Sequence, residues 1–305
     1  MRWKKLGVVY KPDGNKWWAR THATVPTPLI VSPDVIRVYL TCRDEHGIGR
    51  VGFVELSASD PTQVLEVAPD PVLDVGRPGT FDDNGVMAST ALRTVDGPVL
   101  LYYVGFELST RVRYRLLTGL AISEDGQRFR RVQETPILER TPAELCIRGG
   151  PYVRYDEGMY RMWYVAGSEW IDLGCKQMPV YDLRTMESAD GIHWPAEGEV
   201  ILPVSADDEH GFGRPWVMRS GATWELFYSV RRKSLRAYRM GHAVSEDLKL
   251  WHRGDAEFGL EPSADGWDSE AVCYGAPLTI NGRTWLFYNG NNFGETGFGI
   301  ALRET

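Results

Sequence analysis

The sequence predicts an all-β chain folded as a five-bladed β-propeller of four-stranded antiparallel blades, one domain over residues 1–305, and three observations predict it. A module recurs about every sixty residues along the whole chain. Its last copy lacks an outer strand that the N-terminus is free to supply. The composition, with 32 glycines, 18 prolines and 11% aromatic residues, suits many turns and aromatic packing between blades, and helix-period apolar stretches are absent.

Each module opens on a hydrophobic strand that ends in an aromatic and runs into small or polar residues. The five copies are Val38-Tyr39-Leu40-Thr41, Tyr102-Tyr103-Val104-Gly105, Trp163-Tyr164-Val165-Ala166, Phe227-Tyr228-Ser229-Val230 and Phe287-Tyr288-Asn289-Gly290. A second strand with a small residue at its start follows: Gly52-Phe53-Val54, Gly119-Leu120-Ala121, Thr185-Met186-Glu187, Gly241-His242-Ala243 and Gly299-Ile300-Ala301. Three copies then carry a turn and an aromatic, as in Glu124-Asp125-Gly126 to Phe129, Ala189-Asp190-Gly191 to Trp194, and Glu246-Asp247 to Trp251. Pro136-Ile137-Leu138, Val200-Ile201-Leu202 and Phe258-Gly259-Leu260 read as outer strands, but nothing follows the fifth copy at Thr305. Leu6 to Tyr10 is the natural donor, because pairing the first strand into the last blade removes two exposed edges. One blade cannot bury both faces, so the repeat calls for a ring. A β-sandwich is the competing reading.

Several function classes are excluded. A net charge of -7 lacks the basic face that nucleic acid requires. No apolar run approaches the ~20 residues of a membrane span, and Met1-Arg2-Trp3-Lys4-Lys5 has no apolar segment behind it, so a cytoplasmic location is expected. Cys42, Cys146, Cys175 and Cys273 lie far apart without a C-x-x-C spacing and read as buried free thiols. No compact metal-ligand spacing occurs, and no cofactor is implied. The irregular stretches between strands, at 107–117, 168–183, 231–238 and 291–296, are rich in Arg, Tyr, Trp and Asn, the composition of binding loops on a rigid scaffold.

The five copies resemble the blades of the propeller glycosidase superfamily, which includes β-fructosidases, family 43 arabinosidases and xylosidases, and family 130 mannoside phosphorylases. The segments Glu209-His210-Gly211-Phe212-Gly213-Arg214-Pro215, Trp267-Asp268-Ser269-Glu270 and Tyr288 to Gly299 are similar to a glycosidase-like bacterial branch of it. The resemblance implies a carbohydrate or sugar-derived ligand in the axial funnel, not hydrolysis as such. Counting back from each aromatic places Thr27-Pro28, Ser89-Thr90, Gly150-Pro151, Arg214-Pro215 and Ala276-Pro277 on the strands nearest the axis. The family 43 pattern has an acidic base in blade one and a glutamate acid before Gly-Pro in blade three. Here Thr27 stands where the base would be, and Arg148 and Gly149 where the acid would be, so that mechanism does not carry over.

Glycoside hydrolysis needs two carboxyl groups, about 5–5.5 Å apart for retention and roughly 6.5–9.5 Å for inversion. Asp83 and Glu270 are the pair best placed by the repeat, with Asp82, Glu144, Asp208, Glu209 and Asp268 in reserve. Asp82-Asp83-Asn84-Gly85 also reads as an ordinary turn, whereas Glu270 precedes the apolar Ala271-Val272 and is expected to be pushed toward the acid role. His210 is a candidate acid-base group. Arg148, Arg214, Arg231 and Arg232, with Lys233 nearby, form a cationic set that fits phosphate, a uronic or sialic carboxylate, or a nucleotide-sugar diphosphate; pairing with funnel carboxylates is the structural alternative. Trp170, Trp216, Trp267, Tyr181 and Phe293 are expected at the rim with Asn289, Asn291 and Asn292 for hydroxyls, and Trp163, Trp194, Trp251 and Trp285 in the core.

Three readings follow from these residues: a glycoside hydrolase or phosphorylase acting through Asp83 and Glu270, a non-hydrolytic enzyme of glycan or natural-product biosynthesis, and a sugar-binding module. The expected partner is a small sugar or sugar-derived molecule, phosphate included.

Overall fold

The computed structural model describes residues 1–94, 97–174, 176–205, 207–235 and 237–304, and these residues form strands with two short 3-10 turns, Asp255–Glu257 and Asn291–Gly294. No helix among them is long and apolar enough to cross a membrane.

After β1 (Trp3–Tyr10), the chain lays down β2 (Thr21–Ser32), β3 (Val35–Arg43), β4 (Gly49–Ser57) and β5 (Val64–Val67), and β2 to β5 pair in that order, antiparallel throughout. The same order recurs in β6 (Val86–Arg93), β7 (Val99–Leu108), β8 (Tyr114–Ser123) and β9 (Arg130–Arg131). It recurs again in β10 (Ile147–Asp156), β11 (Met159–Asp172), β12 (Gln177–Ser188) and β13 (Glu199–Leu202). A fourth unit comprises β14 (Glu209–Ser220), β15 (Thr223–Arg232), β16 (Tyr238–Ser245) and β17 (His252–Arg253). The last contains β18 (Cys273–Ile280), β19 (Arg283–Asn289) and β20 (Phe298–Arg303), and β1 pairs antiparallel with β20, setting Lys5 opposite Ala301 and Val8 opposite Gly299. The first strands of successive units touch one another: β2 meets β6, β6 meets β10, β10 meets β14, β14 meets β18, and β18 meets β2.

The aromatic of each second strand, expected at its end, lies within the strand and is a core residue. Tyr39, Tyr102, Tyr103, Tyr164, Tyr228 and Tyr288 are fully buried. The glycine of the third strand is explained by these rings, because a Cβ at Gly119 would lie 2.3 Å from Tyr103 and one at Gly241 2.3 Å from Tyr228. Two of the hydroxyls reach into the following unit: Tyr39 donates to the Gly126 carbonyl and Tyr102 to that of Gly191, each at 2.8 Å. Those carbonyls belong to the Asp-Gly turns, which Ser123 with Asp125, and Ser188 with Asp190, fasten by accepting backbone N–H groups. The third such turn has no glycine, and Leu248 takes its left-handed place at φ 64°.

Two outer-strand expectations are corrected. The chain pairs as soon as it leaves the turn, so the fourth strand after Trp251 is β17, and the Pro136–Leu138 segment contributes only a bridge from Leu138 to Thr118. Phe258 instead packs on Trp3 at 5.7 Å and accepts its indole N–H at 2.9 Å. Trp163, Trp251 and Trp285 are buried and Trp194 half-buried against the core. Cys42, Cys146 and Cys273 are buried free thiols, and Cys175 lies outside the described residues.

Each first strand carries a break in register at the same place. The breaks fall between Thr24 and Thr27, Ala88 and Thr90, Gly149 and Tyr152, Gly213 and Trp216, and Cys273 and Ala276. Within them lie Val25, Ser89, Gly150, Arg214 and Tyr274, and four of these are left-handed, at φ 55°, 60°, 36° and 56° for Val25, Gly150, Arg214 and Tyr274. A bulge of this kind bends the strand and re-aims the residue it carries. Pro26, Pro151 and Pro215 follow directly, residues with no N–H to lose from the ladder.

Candidate functional site

All five bulge residues line one cavity of about 560 Å³. Its charged lining is Arg43, His46, Arg113, Lys176, Arg214 and Arg231, and no Asp or Glu lines it among the described residues. The side chains fall into two levels by burial: Arg214 is buried and Arg231 half-buried, while His46, Arg113 and Lys176 are exposed at the mouth. Tyr114, Tyr181, Tyr238 and Tyr274 supply most of the hydroxyls, with Thr24, Thr41 and Ser89.

Arg214 holds the bottom of this cavity together. Its Nη1 donates to the carbonyls of Pro26 at 2.6 Å and Tyr274 at 2.9 Å, and its Nη2 to Thr27 Oγ1 at 2.9 Å and the Ser89 carbonyl at 3.4 Å. One guanidinium from β14 therefore ties together β2, β6 and β18. Its plane also lies over Trp216, 4.9 Å from the ring centroid. Burial drives its pKa down to about 9, with Tyr152 and Tyr274 opposing the fall, and no carboxylate among the described residues pairs with it.

Arg231, on β15, sits among rings. Its guanidinium is 5.1 Å from the Tyr238 centroid and 5.6 Å from that of Phe293. Burial opposes its charge, but Tyr238, Tyr181 and Tyr274 outweigh that and hold it protonated. The hydroxyls of Tyr181 and Tyr238 are 2.8 Å apart, and burial raises the pKa of both phenols.

Most residues singled out from sequence lie elsewhere. Asp83, half-buried, accepts the Gly79 N–H at 2.8 Å and the Asn84 amide within its own turn. Glu270 is exposed; its backbone donates to Asn291 Oδ1 at 2.8 Å and accepts from Arg239 at 2.8 Å. The apolar burial expected to bias it toward an acid is absent, because Ala271 and Val272 turn inward while Glu270 faces solvent. Neither residue lines the cavity.

The reserve carboxylates are engaged by cations or backbone. Asp82 takes Arg131 at 2.7 Å and Tyr103 at 2.9 Å. Glu144 forms a fully buried pair with Arg148, joined by Arg184 at 3.1 Å and Tyr164 at 2.7 Å. Glu209 binds Arg253 through both oxygens at 2.7 and 3.0 Å, Asp208 holds Ser234, and Asp268 takes Lys5 at 2.7 Å and Tyr288 at 3.0 Å.

His210 is buried with Nδ1 donating to the Pro179 carbonyl at 3.1 Å, and burial lowers its pKa, so the ring is held neutral. Asn289 is spent on Val25 N–H, the Ala23 carbonyl and the Gly297 carbonyl, and Asn291 on Glu270, Ala271 and Gly266. Trp267 packs on Tyr288 at 4.9 Å, and Trp216 is buried against Tyr152 at 4.5 Å rather than at the rim. Tyr181 and Phe293 do line the cavity, as do Arg214 and Arg231. The residues that sequence reasoning missed there are Ser89, Tyr114, Tyr238, Tyr274, Arg43, Arg113 and Lys176. The available signal was the register of Ser89 with Arg214 in the repeat; the same count set Thr27 and Ala276 at this level, whereas the bulges carry Val25 and Tyr274, two residues earlier.

No family model matches the chain. Among solved structures, it superposes on a glycoside hydrolase with a TM-score of 0.77 at 18% identity, covering 99% of this chain and 92% of that one. A structure from the GH130 family of mannoside phosphorylases gives 0.71 at 14%, over 99% and 93%, and a thermostable family 43 glycoside hydrolase 0.68 at 14%, over 92% and 89%. The chain thus shares the fold of these glycoside hydrolase structures. In sequence, the chain is 33% identical over 307 residues to Rv1502 of Mycobacterium tuberculosis H37Rv and equally to MT1551 of strain CDC 1551, each covered over 100% of both chains. With that identity along its full length, the chain belongs to the Rv1502 family.

Proposed function

We propose that this protein is a five-bladed propeller enzyme whose axial cavity receives a small anionic sugar derivative, a sugar phosphate or uronic acid, and works on it without the two-carboxylate glycosidase mechanism. The cyclic contacts of β2, β6, β10, β14 and β18, and the pairing of β1 with β20, support the ring. The likeness to glycoside hydrolases supports a sugar-derived ligand. One observation carries the rest: the cavity is lined by four arginines, a lysine and a histidine, and by no carboxylate among the described residues. A site of that charge attracts anions and lacks the groups that would protonate a leaving oxygen and activate water.

Calorimetric titration with glucose 6-phosphate, glucuronate and glucose tests this reading. The anionic sugars should bind at least about tenfold more tightly than glucose, and Arg231→Ala should remove that preference, since a hydrogen bond to a charged group is worth about 1.5–3 kcal/mol. Asp83→Asn and Glu270→Gln should leave binding unchanged. Equal affinity for the neutral and anionic sugars, or aryl-glycoside hydrolysis abolished by Glu270→Gln, would overturn it.

A further inference from the structure

Two residues that line the axial cavity each carry a buried polar atom with no hydrogen-bond partner among the described residues. Arg214 is 3% exposed and its Nη atoms are committed to four protein oxygens, yet Nε–H is left unpaired. Ser89 is 1% exposed; its carbonyl accepts from Arg214 Nη2 at 3.4 Å, yet its Oγ is unpaired as well. They come from equivalent bulges of two first strands, β6 and β14, that stand on either side of β10, and both residues line the cavity. A buried donor left unmet is costly, and structures rarely leave two of them in residues as close as these, which Arg214 Nη2 joins through the Ser89 carbonyl, without an occupant.

Charge selects the occupant. The oxygens around the Arg214 guanidinium are three carbonyls and one hydroxyl, so its positive charge is spread over neutral dipoles and has no counter-ion among the described residues. An oxyanion answers both needs: one of its oxygens accepts from Nε–H and from Ser89 Oγ–H, and its charge balances the guanidinium. Water would meet the hydrogen bonds but not the charge.

We propose that Arg214 Nε and Ser89 Oγ form an oxyanion subsite at the bottom of the cavity, where the phosphate or carboxylate of the ligand is seated. The inference rests on the anionic-sugar reading of the cavity and adds a direction of entry. The anionic group goes in first, and the sugar ring lies outward toward Tyr114 and Phe293, under the exposed Arg113 and Lys176. Arg231, half-buried above, meets the ligand between these levels.

Arg214→Ala is a poor first test, because the side chain also ties β2, β6 and β18 together. Ser89 is the better handle. Inorganic phosphate and glucose 6-phosphate are titrated into wild type, Ser89→Ala and Ser89→Asp by calorimetry, with melting temperatures recorded with and without ligand. Ser89→Ala should weaken both ligands about fivefold or more with its melting temperature nearly unchanged. Ser89→Asp, which supplies a resident carboxylate beside Arg214, should abolish phosphate binding and raise the melting temperature without ligand. Unchanged phosphate affinity in both variants overturns the subsite. If Arg231→Ala still loses glucose 6-phosphate in that case, the anionic reading of the cavity stands and only the subsite falls. If wild type binds neither ligand better than glucose, both fall.

Discussion

Asn289 illustrates how a residue with the chemistry of a sugar ligand is consumed by the backbone. It is fully buried; its Oδ1 accepts the Val25 N–H at 2.7 Å, and its Nδ2 donates to the Ala23 and Gly297 carbonyls at 2.8 and 3.0 Å. Val25 is the left-handed residue in the β2 bulge, so the amide of β19 fixes the geometry of the neighbouring unit. An amide can do this because it carries both an acceptor and two donors in one plane. Asn289→Ala would leave three backbone groups unpaired in the interior. It should lower unfolding stability by at least about 3 kcal/mol in a denaturant titration, taking about 1 kcal/mol as the minimum for each unmet group. Asn289→Asp keeps the acceptor but sets a buried carboxylate oxygen against the Ala23 and Gly297 carbonyls, and should be at least as destabilised as the alanine variant. A loss below about 1 kcal/mol for alanine would show that the bulge does not depend on this side chain.

Single strands are held by contacts that cross between units, and β1 is the clearest case. Its Lys5 reaches Asp268, a carboxylate 1% exposed that precedes β18, while Trp3 reaches Phe258 beyond β17. The first strand thus joins the last unit through the ladder to β20 and the fourth through a side chain. That Leu6 to Tyr10 is a strand was legible from apolar residues near a chain end facing a module short of one strand. The outer strands were less legible, since β9 and β17 are two residues each and carry no apolar pattern to read. Asp268 is a strong test of the coupling, because among the described residues Oδ1 has no hydrogen-bond partner and Tyr288 would be the remaining partner of Oδ2 once Lys5 is gone. Lys5→Met should therefore cost about 3–5 kcal/mol, the penalty of a buried charge stripped of its partner. Adding Asp268→Asn to Lys5→Met should recover part of that loss, and no recovery would mean that Lys5 acts through packing alone.

At the scale of the molecule, the period was readable because every unit must bury the same faces against its neighbours, which forces aromatics and glycines to recur. The cavity was not readable in the same way. Its carboxylate-free character depends on which acids are paired, and the partners lie far away in sequence: Asp82 meets Arg131, Glu144 meets Arg184, and Glu209 meets Arg253. What recurs in their place is buried phenol. Burial raises the pKa of Tyr39, Tyr102, Tyr103, Tyr164, Tyr228 and Tyr288 in the second strands, and of Tyr181, Tyr238 and Tyr274 around the cavity. The consequence for stability has a definite sign. A phenol whose pKa is higher folded than unfolded keeps its proton longer in the folded chain, so the unfolded state holds fewer protons once pH exceeds about 10. Its contribution is complete below pH ~10 and is lost as pH rises further. Because so many phenols act together and sit in every unit, the loss should be steep and cooperative: the melting temperature should be insensitive to these groups below pH ~10 and collapse above it. Tyrosinate absorbance should then appear with unfolding, in one transition shared with the loss of near-UV circular dichroism. Phosphate, by occupying the cavity between Arg214 and Arg231, should move that transition to higher pH. Gradual ionisation of the phenols from pH ~10 with the circular dichroism intact would instead place them within reach of solvent in the native protein.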